Sequence, residues 1–238
     1  MPQILSETQV HVLGWQSVAS SIDHTLLKPE TTQDQITTLC EEAVYFGFAA
    51  VCCSPWWASL AVSLLQGTPV KACTTVGFPL GANHTSVKRF EAAEAVRLGV
   101  QELDMVINVG AMKSGDRRSV QNDIEAVCEI AHGGGAILKV ILETPLLTLE
   151  EKILGCELSL AANADFVKTS TGFFGGAAAE DIALIRGVVG ERAGIKASGG
   201  IRNAATAIAL LEAGADRLGT SASLAIVREM GAPELSGR

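Results

Sequence analysis

The sequence predicts an α/β protein that folds as a TIM (β/α)8 barrel in a single domain. Three observations predict it: strand-like and helix-like segments alternate from residue 18 onward, eight such pairs are present, and 238 residues suit one barrel. Eight consecutive strand-then-helix units favour a closed barrel over an open doubly wound sheet. The candidate strands are short and apolar, and a loop rich in Gly, Pro, Ser or Thr follows each one: 18–24, 48–53, 71–77, 102–108, 137–142, 165–170, 194–198 and 216–220.

The segments between the strands have the periodicity of amphipathic helices. Capping boxes are predicted where Thr32 is followed by Gln35 and where Thr148 is followed by Glu151. Residues 2–17 are predicted to form an extra N-terminal helix, which divides the chain into an extension (1–17) and a barrel domain (18–238). Apolar residues recur at i, i+4, i+7 and i+11 in two of the segments: Val120, Ile124, Val127 and Ala131, and Leu149, Ile153, Cys156 and Leu160.

Composition excludes several classes of partner. The formal net charge is -8 and there is no basic run, so we expect no binding to nucleic acid or to an anionic membrane surface. No apolar run reaches about 18 residues and the N-terminus lacks an export signal, so we expect a cytoplasmic protein without a membrane span. The six cysteines contain no C-x-x-C pair and are predicted to be reduced thiols of the core.

Neither a metal nor an organic cofactor is predicted. The four histidines show no ligand spacing, and the sequence has no cluster of carboxylates. Nucleotide-binding and dinucleotide-binding glycine motifs are absent as well.

Two lysines on neighbouring strands are the strongest candidates for catalysis, because chemistry in this fold occurs at the C-terminal ends of the strands. Lys168 ends the apolar run ADFVK, and burial there would favour a neutral amine that can attack a carbonyl group. Lys196 lies in the next strand, and two nearby cations disfavour each other's charged form. The alternative interpretation for each lysine is an ion pair with a carboxylate, or for Lys168 a side chain that reaches solvent at the barrel mouth.

Acidic residues in two other strands could complete the site. Asp104 lies among apolar residues in ELDMVINVG, where a carboxylate needs a cation such as Lys168 or Lys196, and it could relay protons. Asp23 lies at the predicted end of the first strand and could bind a sugar hydroxyl or another barrel residue, or anchor a loop. The neighbouring His24 could be a base, but nothing in the sequence selects it.

Glycine-rich loops after three strands predict a phosphate site. Glycine lets backbone N–H groups approach an anion closely, and the loops after strands 7 and 8 commonly bind phosphate in this fold. Each glycine alone could simply serve a turn, but their joint placement favours phosphate. The candidate residues are Gly172, Gly199, Gly200, Gly219 and Ser221.

These motifs resemble the 2-deoxyribose-5-phosphate aldolase family, over about residues 18–228. The segments that carry the resemblance are IDHTLLKP, TVGFPLG, ELDMVINVGAMKSG, LKVILETPLLT, FVKTSTGF, IKASGGIR and RLGTS. The resemblance implies reversible cleavage of 2-deoxyribose 5-phosphate to glyceraldehyde 3-phosphate and acetaldehyde without a cofactor. It also implies that Lys168 forms the Schiff base, that Lys196 tunes the pKa of Lys168, and that Asp104 transfers protons. It further implies that Asp23 lies in the active-site region and that the glycine-rich loops bind the phosphate.

Three departures from the family pattern are visible. The segment FFGGAAAED after Gly172 is about one residue shorter than usual, Ala222 replaces a common serine, and the chain has a single tyrosine, Tyr45, and none at its C-terminus. Two alternatives stay open: an aldolase for another small phosphosugar, and a barrel that binds a sugar phosphate without turnover. We also expect a homo-oligomer, with a dimer favoured and with Trp56 and Trp57 as candidates for the interface.

Overall fold

Eight parallel strands close into a barrel in sequence order, as predicted. The computed structural model describes residues 14–235. The first strand pairs with both the second and the eighth, which closes the sheet. The strands are β1 (Ile22–Leu26), β2 (Ala50–Cys53), β3 (Lys71–Val76), β4 (Glu102–Val106), β5 (Ile137–Ile141), β6 (Phe166–Lys168), β7 (Gly194–Ser198) and β8 (Arg217–Thr220).

Helices surround the barrel and cover its outer face. The core consists of branched and small apolar side chains between the strands and these helices, among them Val51, Leu103 and Ile195, all fully buried. Within the described residues the helices are α1 (Trp15–Ala19), α2 (Gln33–Phe46), α3 (Ala58–Leu65), α4 (Thr85–Arg97), α5 (Val109–Lys113), α6 (Arg117–Gly133), α7 (Leu149–Ala161), α8 (Ala179–Val189), α9 (Ala204–Glu212) and α10 (Ser223–Glu229).

The N-terminal part of the prediction needs one correction. The first strand was expected at 18–24, but Val18 and Ala19 belong to α1 and are buried, and β1 begins at Ile22. The boundary was misplaced because the residues that end this short helix and those that begin the strand are both apolar, and the sequence pattern does not separate them. Residues 2–13 of the predicted helix lie outside the described residues, and the division at residue 17 stays a prediction.

Local signals at the helix ends are confirmed. Thr32 and Thr148 each accept a hydrogen bond from the backbone N–H three residues later, and both capping boxes are complete. Gly47 ends α2 with φ 68°, a left-handed conformation that glycine adopts without strain.

Three further findings concern composition. All six cysteines are buried and unpaired. None of the helices in residues 14–235 is long and apolar enough to cross a membrane. Trp56 is 83% exposed, whereas Trp57 is half-buried and packs against the core, so only Trp56 offers its whole ring to a partner.

Candidate active site

The four predicted polar side chains point into the barrel. Lys168 is the last residue of β6, Lys196 lies at the centre of β7, and the two are register partners. Asp104 is central in β4, and Asp23 is the second residue of β1. Because side chains alternate across a strand, these positions place all four on the inner face.

Asp104 is the centre of this group. Its Oδ2 accepts hydrogen bonds from Lys168 Nζ and Lys196 Nζ, each at 2.6 Å, and its Oδ1 accepts one from Lys139 Nζ at 3.0 Å. Asp104 is fully buried and Lys168 is 4% exposed. Asp104 therefore contacts both lysines, as expected. The alternative interpretation, in which each lysine pairs with a carboxylate, fits the same geometry.

Asp23 lies deeper in the barrel than expected. It was placed at the end of its strand, but β1 continues to Leu26, so Asp23 lies near the strand's beginning. Its carboxylate contacts Lys196 and Arg217, and Lys139 Nζ lies 3.5 Å from its Oδ2. Asp23 is fully buried, and its contacts are with other barrel residues.

Three charged residues of this network were missed by the sequence analysis: Glu102, Lys139 and Arg217. Lys139 Nζ lies 2.6 Å from Glu102 Oε2, and Arg217 Nη2 lies 3.0 Å from the same oxygen. Lys139 interrupts the apolar strand ILKVI much as Lys168 interrupts its own strand, and that signal could have identified it.

The interior around the lysines is therefore charged, and the expectation of an apolar environment for Lys168 was wrong. The apolar residues that flank each lysine in sequence point outward into the helix layer, since neighbours in a strand face opposite sides. Val167 and Ile195 are such neighbours, both fully buried in the outer core.

Coulombic interactions decide the charge states in the network. Burial opposes ionisation of Asp104, but Lys139, Lys168 and Lys196 outweigh it and hold the pKa of this carboxyl well below its usual range. Burial likewise disfavours the charged form of Lys196, but Asp104 and Asp23 prevail and raise its pKa. Lys196 therefore keeps its positive charge, and its ammonium group contacts the same oxygen of Asp104 as Lys168 does.

A cavity of about 470 Å³ opens at the C-terminal ends of the strands, and Lys168 lies in its wall. All five predicted phosphate residues line the same cavity: Gly172, Gly199, Gly200, Gly219 and Ser221. Two cations that the sequence analysis did not select, Lys28 and Arg202, line it as well. An amine, glycine-rich turns and two cations thus surround one space.

The turns after β6 and β7 touch through their backbones. A Cβ atom on Gly199 would lie 2.8 Å from the carbonyl oxygen of Gly175 and 3.0 Å from Cα of Gly176, and Gly199 has φ 89°. Only glycine fits such a contact, and it brings the two turns together at the cavity.

His24 is not part of the barrel interior. It follows Asp23 in β1 and therefore faces outward, where Nδ1 lies 2.8 Å from Ser223 Oγ and Nε2 lies 3.0 Å from Glu42 Oε2. The structure thus separates His24 from Asp104 and both lysines.

Two groups of side chains in the described residues have the ligand spacing of a metal site: Cys52, Cys73 and Asp104, and Asp23, Cys73 and Glu102. The ammonium groups of Lys196 and Lys139 already lie against the carboxylates of both groups, at 2.6 Å from Asp104 and from Glu102 respectively. A cation there would be repelled by these ammonium groups, so the donor set does not fit a metal.

A closed (β/α)8 barrel with a cavity at the C-terminal ends of its strands has the architecture of a TIM-barrel enzyme. Residues 17–232 match the family described as DeoC/LacD family aldolase. The chain therefore belongs to this family of aldolases, which are carbon–carbon lyases.

Relatives of known name extend this finding. A deoxyribose-phosphate aldolase of Halalkalibacterium halodurans is 56% identical over 214 residues, which are 89% of this chain and 95% of the relative. A deoxyribose-phosphate aldolase of Geobacillus sp. is 53% identical over 212 residues, 89% of this chain and 95% of the relative.

Solved structures agree with the fold. The aldolase QR15 has a TM-score of 0.85 and 43% sequence identity, and the match covers 89% of this chain and 95% of QR15. The deoxyribose phosphate aldolase of Aeropyrum pernix, described as a tetramer, has a TM-score of 0.84 and 34% identity over 90% of this chain and 91% of its own.

Proposed function

We propose that this aldolase reversibly cleaves 2-deoxy-D-ribose 5-phosphate to D-glyceraldehyde 3-phosphate and acetaldehyde, as a step in the breakdown of deoxyribonucleosides, with Lys168 as the Schiff-base nucleophile. The observation that carries the proposal is that Lys168 lies in the wall of the cavity while its amine shares Asp104 Oδ2 with Lys196. The names of relatives at 53–56% identity support the choice of substrate.

Lys168 is the amine of the pair that can act as nucleophile. A Schiff base requires a neutral amine, and we assign to a neighbouring cation the role of favouring that form. Lys196 is such a cation, because Asp104 and Asp23 raise its pKa against the effect of burial. Lys168 reaches the cavity, whereas Lys196 is fully buried, so the two amines have different roles.

The reaction follows from these positions. The neutral amine of Lys168 attacks C1 of the open-chain sugar, and loss of water leaves a protonated imine. This imine accepts electrons from the C2–C3 bond as the C3 hydroxyl loses its proton, which releases glyceraldehyde 3-phosphate and leaves an enamine. Protonation and hydrolysis of the enamine release acetaldehyde and restore Lys168. We assign the proton transfers to Asp104, Lys196 and water.

The substrate phosphate is assigned to the glycine-rich turns. Gly172, Gly199, Gly200, Gly219 and Ser221 line the cavity that Lys168 reaches, and backbone N–H groups are good donors to phosphate. Lys28 and Arg202 add positive charge to the same wall, which offsets the net charge of -8. Ala222 offers no hydroxyl, so the side chain at this position adds no donor to the site.

The proposal extends to location and assembly. We propose a cytoplasmic homo-oligomer, with a dimer favoured, that binds neither nucleic acid nor membrane. The exposed ring of Trp56 is suited to an interface, and the Aeropyrum pernix relative is described as tetrameric. Sedimentation velocity at two protein concentrations tests this, and a monomer at both would refute it.

The decisive experiment is reductive trapping. Borohydride added with 2-deoxyribose 5-phosphate should reduce the imine and leave a covalent adduct on Lys168, located by peptide mass mapping. Lys152→Arg, a substitution outside the barrel interior in α7, serves as a matched control to Lys168→Arg and should still be trapped. An active protein with an unlabelled Lys168 would rule out the mechanism.

Product analysis separates the two alternatives. Acetaldehyde release from the deoxy sugar is required here, and an aldolase for another phosphosugar would not show it. A barrel that only binds sugar phosphates would show affinity without turnover, and Lys168→Ala would leave that affinity unchanged.

A further inference from the structure

The second residue after the end of β5 has an unusual backbone. Glu143 has φ 61° and ψ 57°, the left-handed region, and Asn163 is the other residue among the described non-glycines with positive φ. Asparagine adopts this conformation readily, whereas glutamate has no local hydrogen bond that favours it. Backbone strain of this kind persists where surrounding contacts maintain it, and it often marks functional sites.

The contacts that hold Glu143 lead to the cavity. Its Oε2 accepts a hydrogen bond from the backbone N–H of Thr171 at 3.1 Å and another from Thr171 Oγ1–H at 2.5 Å. Thr171 Oγ1 in turn accepts a bond from the N–H of Phe173 at 3.2 Å. Glu143 is 1% exposed, so these bonds are shielded from water.

This arrangement fixes the turn between Thr171 and Phe173. Both donors of Thr171 and the N–H of Phe173 are occupied within the turn. Among residues 14–235 no hydrogen bond uses the N–H of Gly172, which lies between them and lines the cavity. Gly172 also lies against Gly199, since a Cβ atom on it would be 3.5 Å from Gly199 Cα. The orientation of Gly172 therefore depends on how Glu143 holds its neighbours.

The carboxyl group itself is not saturated. Oε1 of Glu143 is buried and has no hydrogen-bond partner in the protein. Burial raises the pKa of this carboxyl, while the bonds from Thr171 and the charge of Lys168 oppose that rise. A carboxylate placed here for stability alone would be costly, because its backbone is strained and one oxygen is unpaired.

We infer that Glu143 is a positioning residue that acts through Thr171 to orient the Gly172 turn for the phosphate of the substrate. This inference rests on the proposed function, in which that turn binds phosphate. Glu143 itself does not touch the phosphate, since its free oxygen would repel an anion.

The test compares variants at residue 143. Glu143→Gly removes the carboxylate and relieves the strained backbone, so the variant is expected to fold. We expect its KM for 2-deoxyribose 5-phosphate and its Kd for inorganic phosphate, measured by titration calorimetry, to rise at least about tenfold, because the two hydrogen bonds that hold the turn are lost. Its kcat/KM for unphosphorylated 2-deoxyribose should change less than about threefold, a difference too small to reflect a lost hydrogen bond of this kind.

Two further variants isolate the contact. Glu143→Gln keeps an oxygen that can accept from both Thr171 donors, and it should restore phosphate binding to within about threefold of the wild type, less than the loss expected when both hydrogen bonds are broken. Thr171→Val keeps the N–H and loses the hydroxyl, and its effect should lie between the two. Circular dichroism and thermal melting verify that each variant is folded.

The inference is overturned if Glu143→Gly weakens the reactions of both sugars equally, or leaves phosphate binding unchanged. It is also overturned if Glu143→Gln is as impaired as Glu143→Gly, because a charge would then be needed in place of a hydrogen-bond acceptor. A wild-type protein that releases no acetaldehyde would refute the proposed function instead, while the phosphate titrations would still decide the role of Glu143.

Discussion

The Nζ atoms of Lys168 and Lys196 lie 2.6 Å from the same oxygen, Oδ2 of Asp104. Two amines that share one carboxylate oxygen are attracted to it and repel each other. A substitution of Asp104 should therefore change both the stability of the barrel interior and the reactivity of Lys168, because Asp104 contacts both amines.

Asp104→Asn tests this coupling directly. The amide removes a counter-charge that the buried ammonium groups of Lys139 and Lys196 share, so we expect the free energy of unfolding to fall by about 3–5 kcal/mol. Aldolase activity should fall by at least about a hundredfold, since proton transfer is lost as well. Urea denaturation and an acetaldehyde assay measure the two effects. Glu94→Gln, which removes an exposed pair with Arg97, is the control and should change neither. Unchanged stability in Asp104→Asn would show that the network is not a net source of stability.

The pH dependence of stability follows from the same carboxyls. The pKa of Asp104 is lowered because Lys139, Lys168 and Lys196 outweigh the effect of burial. The unfolded carboxyl binds its proton near pH about 3.9, well before the folded one does. Unfolding in acid therefore takes up protons, so the free energy of unfolding should be full above about pH 5 and fall below about pH 4. Denaturation curves recorded at several pH values between about 3 and about 8 measure this, because that range spans the ordinary pKa of an aspartate. A stability that rises on acidification would contradict it.

Gly199→Ala should separate the two turns at the cavity. The added Cβ would lie 2.8 Å from the carbonyl oxygen of Gly175, and the residue has φ 89°. We expect a loss of stability of about 1–3 kcal/mol and a higher KM for the phosphorylated sugar. Gly187→Ala is a matched control, because nothing lies within 4 Å of the new methyl group and the site is inside α8. That variant should be stabilised by about 0.5–1 kcal/mol. An unaltered KM in Gly199→Ala would remove this turn from the binding site.

His24→Gln should weaken the fold without preventing the imine. His24 joins Ser223 at 2.8 Å and Glu42 at 3.0 Å, on the face of β1 that points away from Lys168. We expect a lower melting temperature and undiminished borohydride trapping at Lys168. Melting by circular dichroism and mass mapping of the adduct measure these. A fully folded variant that fails to form the adduct would make His24 the base that the sequence could not exclude.

The residues of the site differ in how far their positions could be predicted from the sequence. Lys168 and Lys196 could be placed together from the sequence, because consecutive parallel strands lie side by side and carry corresponding positions to the same level. The capping pairs Thr32–Gln35 and Thr148–Glu151 were predictable too, since their contacts are local. His24 could not be assigned, because the sequence does not show which of Asp23 and His24 faces the barrel interior.

Periodicity and strand order were enough to predict the order of elements, the closure of the sheet and the neighbouring positions of Lys168 and Lys196. Only the folded barrel shows that Lys139 and Arg217 belong to the same network, that Asp23 is buried inside the barrel, and that Glu143 holds Thr171 beside Gly172. These contacts join residues far apart in the chain. Barrel closure brings them together, and the stagger of the strands sets their depth, neither of which a local pattern contains.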